Sequence, residues 1–179
     1  MVVEPPTEGP EYIGSIDDLS YKGGSCKMWC WNCDGIRSVM RNGKFEKFVE
    51  VAKPTIICLN ETKVDELSME LYGVKRELAF LGFPPDLQFW NASKRMRGYS
   101  GVGVLISKDF VGGAPEKVEY DGFGEPGLHD AEGRTLTLHF KHFLLVVTYV
   151  PNAGVWRSEQ RLTPGCSILG LERLEYRVE

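Results

Sequence analysis

Lys27-Met28-Trp29-Cys30-Trp31-Asn32 and Thr55-Ile56-Ile57-Cys58-Leu59 are the two stretches on which the fold turns. The first is short, aromatic-rich and carries a two-residue period. That is the mark of a strand with Met28, Cys30 and Asn32 on one face and Trp29, Trp31 and Cys33 on the other. The second is a nearly continuous apolar run, as expected of a strand buried on both faces. Between them Gly35 ends the first strand. Phe45, Phe48, Val49 and Ala52 then recur at i, i+3, i+4 and i+7, so the spacing predicts a helix that stops before Pro54.

Outward from this core the pattern continues with a second helix across 65–81, whose stripe is Leu67, Leu71, Val74, Leu78 and Leu81. Strands follow at 87–91, 101–107, 118–120, 135–140 and 143–149, with a tight hairpin through His139–Phe143 joining the last two. Helices early and strands late predict an α/β fold, a mixed sandwich rather than a dinucleotide-binding sheet. Residues 1–25, rich in Pro, Gly, Glu and Asp, read as a flexible leader. At the other end, Leu171–Glu179 reads as the start of a helix inside which the chain stops. Residues 26–179 are therefore expected to be a truncated domain with an insertion near 155–170.

The 179 residues are 42% hydrophobic and 26% charged, enough apolar content for a core, and the formal net charge is −4. A globally basic nucleic-acid binder is excluded; any such surface is a local patch. The five cysteines, an odd number without a regular ladder, read as reduced thiols in an intracellular compartment. The start lacks the apolar stretch of a signal peptide, and no stretch is long and apolar enough for a membrane helix.

Polar residues with chemical potential stand where apolar strands end. Asn32 closes the first strand, and Glu61 follows the second at once. An ionised carboxylate at the mouth of a buried strand needs a partner. A hard cation with oxygen ligands is one; Lys63, or the start of the following helix, is another. Tyr149 closes the run 143–147, where a phenol can orient a phosphate oxygen or simply be a half-buried strand residue. Gly98–Gly103 precedes a strand rather than opening a helix, so its glycines predict a bend beside another backbone, not a dinucleotide loop. Lys94, Arg95, Arg97 and Tyr99 form a basic-aromatic patch suited to phosphodiester contact or to plain solvation. Cys30 and Cys33 lack the second ligand pair of a zinc site and point to opposite faces. His129-Asp130 has no nucleophile elbow to serve.

The ordered series WNCDGIR (31–37), CLNETK (58–63), GYSGVGVLIS (98–107), HDAEGR (129–134) and VVTYVPNAG (146–154) closely resembles exonuclease III-type apurinic/apyrimidinic (AP) endonucleases, members of the endonuclease/exonuclease/phosphatase superfamily. The resemblance runs from Lys27 to Gly154 and resumes at Leu171–Arg177. It implies a four-layer α/β sandwich, two sheets face to face with helices outside, of which the C-terminal half is expected to be missing here. It also implies Mg²⁺-dependent (or Mn²⁺-dependent) phosphodiester hydrolysis in base excision repair, on double-stranded DNA with abasic sites. By the same resemblance Asn32 and Glu61 lie at the metal, with Asp34 in support, and Tyr149 at the scissile phosphate. Arg37, Lys63, Tyr99, Arg134 and Asn152 lie near the DNA. The family is monomeric and its location is expected to be nuclear, with mitochondrion and chloroplast open.

The family also uses a water-orienting aspartate and a late histidine, whereas after Tyr149 this chain has neither residue type. Two alternatives therefore stand beside the repair nuclease. One is an inactive fragment or isoform, prone to aggregation because the apolar residues of strands 101–107 and 143–149 face solvent. The other is a different superfamily phosphoesterase.

Overall fold

The computed structural model describes residues 26–120 and 131–150, and the backbone of 171–176. Strand β1 (Cys26–Asn32) leads through helices α1 (Ile36–Arg41) and α2 (Lys44–Ala52) to β2 (Ile56–Asn60). The two strands pair in parallel, Met28 opposite Ile56 and Asn32 opposite Asn60, so both end at one edge of the sheet. This is the strand–helix–strand start that the sequence predicts.

Helices α3 (Glu66–Leu71) and α4 (Val74–Phe80) come next, then β3 (Gln88–Asn91), β4 (Val102–Ile106), β5 (Lys117–Glu119), β6 (Thr135–His139), β7 (Leu144–Thr148) and β8 (Leu171–Tyr176). They form one sheet of order β3-β4-β2-β1-β8 and an antiparallel sheet of order β5-β6-β7. The α/β sandwich expectation holds in the form of two sheets with flanking helices.

Each face of the larger sheet carries its own core. On one side Ile57, Leu59 and Leu105 meet Ile36, Phe45, Val74 and Leu78 of the helices, and Trp31 stacks on Phe45 at 5.8 Å between ring centroids. On the other, Ile56, Cys58, Val104 and Ile106 meet Leu136, Leu138, Phe140 and Val147 of the smaller sheet. Each such buried side chain contributes about 1.5–3 kcal/mol. Asn91 ties the sheets at one corner, donating from Nδ2 to the carbonyl oxygen of Thr135 at 2.7 Å.

Several expectations are corrected. The segment at 171–176 is not a helix: it is β8, antiparallel to β1 with Cys26 opposite Tyr176 and Trp31 opposite Leu171. A row of unpaired backbone groups on β1 outweighs a short local helical preference. The helix expected across 65–81 is two, because Gly73 takes φ +63 between them. That break shifts the phase of the apolar stripe, so Leu67 and Leu71 are exposed while Val74 and Leu78 are buried. Strand β4 does not face solvent but is buried throughout, whereas β7 does expose Leu144 and Val146. Cys33 joins the helix-side core and Cys30 packs toward the smaller sheet, on opposite faces as expected. The leader and the stretch at 155–170 lie outside the described residues. Among those described, no helix is long and apolar enough to cross a membrane.

Candidate active site

The parallel ends of β1 and β2 put Asn32 and Glu61 side by side at one edge of the sheet, because Glu61 is the residue after Asn60, the partner of Asn32. In open sheets this edge is where ligands bind. Both chains turn sharply there. Four of the five non-glycine residues with positive φ among the described residues gather at this edge: Asp34 (+46°), Glu61 (+53°), Lys63 (+51°) and Ser100 (+52°). Left-handed backbone at such residues is costly and persists only where surrounding bonds enforce it.

Those bonds are visible. The Gly35 N–H donates to the Glu61 carbonyl at 2.7 Å, Ile36 N–H to Thr62 at 3.1 Å, Thr62 N–H to Gly101 at 3.1 Å and Lys63 N–H to Ser100 at 2.8 Å. Three loops are thus stitched together. Gly101, at φ +90, lies where a Cβ would stand 2.5 Å from the Thr62 hydroxyl, so only glycine lets the 98–101 bend approach. The glycine run serves backbone approach, as its place before a strand implies.

The side chains converge on Glu61. The Tyr149 hydroxyl donates to its Oε1, and the Lys63 ammonium lies 3.5 Å from its Oε2. Lys63 also bonds the exposed Asp34 carboxylate. That bond and Lys63's charge hold the Asp34 carboxyl below the usual range, and the same bond raises the Lys63 ammonium. Burial first, and then the bond to Glu61, push the Tyr149 phenol up to about 12, so it keeps its proton at neutral pH. The Asn32 side-chain oxygen accepts the Asp34 N–H at 3.2 Å.

A second tier braces the tyrosine. Arg134 Nη2 donates to the Tyr99 hydroxyl at 2.9 Å, and its guanidinium lies 4.8 Å from the Tyr149 ring centroid. Glu132 anchors Arg134 at 2.7 Å, and the Tyr149 N–H donates to the Arg134 carbonyl at 2.8 Å. Glu132 also pairs with Arg95 at 2.8 Å, and Arg97 pairs with Asp65 at 3.2 Å. Two of the three cations read at 94–97 therefore have a carboxylate partner, Arg95 sharing Glu132 with Arg134.

The structure brings Asn32, Asp34, Glu61, Lys63, Tyr99, Arg134 and Tyr149 to one edge. The guanidinium of Arg37, at the start of α1, lies over the Tyr72 ring. Asn152, His129 and Asp130 lie outside the described residues. Glu132 and Tyr72 were not singled out from the sequence as site residues. For Glu132 a signal existed: it stands two residues before Arg134, the spacing that puts both on one side of an extended chain.

The described residues thus define a strand-edge cluster in which a phenol and an ammonium meet one carboxylate, Glu61, with a guanidinium behind the phenol and the Asn32 carboxamide on the neighbouring strand end. No protein-family model matches the chain. Individual relatives do. It is 31% identical over 93% of its length to a DNA-(apurinic or apyrimidinic site) endonuclease of Dictyostelium discoideum. It is 36% identical over 86% to the DNA repair nuclease APEX1 of Danio rerio, and 32% over 86% to an exodeoxyribonuclease of Bacillus subtilis. Its fold matches the crystal structure of the AP endonuclease LMAP from Leishmania major with a TM-score of 0.55 and 25% identity, over 79% of this chain and 45% of that one. Over most of its length the chain is similar to proteins named AP endonucleases and exodeoxyribonucleases, and it spans 38%, 45% and 48% of the length of these three curated relatives.

Proposed function

We propose that the chain carries the metal-and-phosphate side of a DNA-repair phosphodiesterase that incises duplex DNA at abasic sites. The observation behind this reading is the convergence of Tyr149 and Lys63 on Glu61, beside Asn32 at the strand edge. The substrate class is taken from the relatives' names, a DNA-(apurinic or apyrimidinic site) endonuclease and a DNA repair nuclease among them.

Asn32 and Glu61 offer only oxygen donors, which suits a hard cation. Among the described residues no cluster of three or more His, Cys, Asp or Glu is arranged to hold a metal. A donor set of one carboxylate and one carboxamide fits Mg²⁺, which keeps several waters and shares a substrate phosphate. In this reading Asn32 and Glu61 would hold it; when bound it neutralises charge building on the phosphate and the leaving oxygen. With Glu61 on the cation, the single Tyr149 O–H would turn from that carboxylate to a phosphate oxygen. Lys63 adds a positive charge, and Arg134 keeps the Tyr149 ring from swinging away.

A second reading has its own observation. Both oxygens of Glu61 and the Asp34 carboxylate are already engaged, by Tyr149 and Lys63. These carboxylates orient phosphate-binding groups rather than a water, so this chain would bind phosphodiester without cutting it.

Incubating the full chain with a duplex holding one abasic site, with Mg²⁺, with Mn²⁺ and with EDTA, separates the readings. Metal-dependent incision, reduced about 100-fold by Tyr149→Phe, supports the nuclease. Binding without incision supports the second reading. Turnover of inositol phosphates with no action on the duplex would overturn both.

A further inference from the structure

Arg37 differs from the other arginines near the site. Arg95, Arg97 and Arg134 each hold a carboxylate, Glu132, Asp65 and Glu132 again. Arg37 instead lies over an aromatic ring, its guanidinium carbon 3.6 Å from the centroid of Tyr72, and it has no carboxylate partner among the described residues. A guanidinium held over a ring by its face uses none of its five in-plane N–H donors on that contact. Those donors form the fork that matches two phosphate oxygens.

Both partners are held by backbone. Arg37 is in the first turn of α1, one residue after Ile36, whose N–H donates to Thr62 beside Glu61. Tyr72 caps α3, its N–H donating to the Ser68 carbonyl at 3.1 Å. The far end of α3 is locked by a capping box between Asp65 and Ser68, and Arg97 secures that same Asp65. Gly73, at φ +63, then turns the chain away, leaving Tyr72 half exposed at the surface with the arginine on it. The break that splits the expected 65–81 helix is what presents this ring.

We infer that Tyr72 is a positioning residue for nucleic-acid binding: it acts as a platform that holds Arg37 with its donors open to a backbone phosphate of duplex DNA. The inference rests on the phosphodiester reading above but not on hydrolysis. It predicts affinity, whereas that reading is judged by incision.

The test measures binding of an intact duplex to the full chain across salt concentrations, for wild type, Tyr72→Ala, Tyr72→Phe, Arg37→Ala and the double variant Arg37→Ala/Tyr72→Ala. Tyr72→Ala should weaken binding roughly 2- to 5-fold, the range of an exposed cation–π contact, and Tyr72→Phe should restore it because the ring remains. Arg37→Ala should lower the slope of log affinity against log salt by about one. The double variant should bind no more weakly than Arg37→Ala alone. Without DNA, the Arg37 Nε–H NMR signal should be ring-current shifted in wild type and Tyr72→Phe, and return to its ordinary position in Tyr72→Ala.

Additive losses in the double variant, a Tyr72→Ala affinity equal to wild type, a Tyr72→Phe as weak as Tyr72→Ala, or wild type that binds no duplex would each overturn the inference. Wild type that binds with this pattern yet fails to incise an abasic duplex would remove the nuclease reading and leave the inference standing.

Discussion

The two faces of the five-stranded sheet are closed by different neighbours. One is covered by helices drawn from residues 36–80, which lie directly before and after β2 in the chain. The other is covered by β6 and β7, from residues 135–148, through Leu136, Leu138, Phe140 and Val147. The first face builds a core by short connections. The second closes a loop of 88 residues to set Tyr149 against Glu61. Stability can rest on either face, but the candidate site exists only if the second is closed.

The largest effects come from emptying each core in turn. Phe45→Ala on the helix face should cost about 3–5 kcal/mol, and Leu138→Ala between the sheets about 2–5 kcal/mol, read from urea unfolding. The contrast is in the site. Amide exchange at Tyr149, whose N–H is bonded to Arg134, should speed up in native buffer more with Leu138→Ala than with Phe45→Ala. Equal acceleration would erase the distinction between the faces.

Gly133→Ala tests the hinge between them. Its φ is +63, and a Cβ there would stand 2.5 Å from the Asn91 carbonyl oxygen. The substitution should cost about 1–3 kcal/mol and displace the Glu132–Arg134 brace. Lost stability with unaltered Tyr99 and Tyr149 ring signals would show that the brace does not depend on that close approach.

Thiol labelling sharpens the comparison without mutation. Cys33 lies in the helix-side core and Cys58 between the sheets, both nearly fully buried. Burial pushes the Cys33 thiol up to about 12 and the Cys58 thiol higher still, so both react at pH 8 only when their face opens. As urea rises below the main transition, Cys58 should be alkylated before Cys33. Simultaneous labelling would mean the faces open as one unit. The smallest effect belongs to the outer surface of β7, where Leu144 is 55% exposed; Leu144→Thr should change stability by no more than about 0.5 kcal/mol.

Much of the architecture was legible in residue order. The period of two in 27–32 and the apolar run at 55–59 give β1 and β2, and the strands read at 135–140 and 143–149 with the tight turn between them give the hairpin of β6 and β7. Polar residues placed just past apolar strands marked Asn32, Glu61 and Tyr149 before any geometry was known. The stripe across 65–81 misled because a single glycine resets helical phase, which a count of apolar spacings does not register. The ion pairs of the basic patch at 94–97 were not legible because the carboxylates, Asp65 and Glu132, come from elsewhere in the chain.

Sequence alone therefore determined the strands from β1 to β7, the residues that end them, and the likeness those motifs carry, since all of these are properties of near neighbours. Tertiary structure alone decided that 171–176 pairs with β1 as a strand, that Tyr149 meets Glu61, and that Arg37 rests on Tyr72. The reason is range. Periodicity and capping act over a few residues, whereas strand pairing, ion pairing and ring stacking join groups whose separation along the chain says nothing of their distance in space.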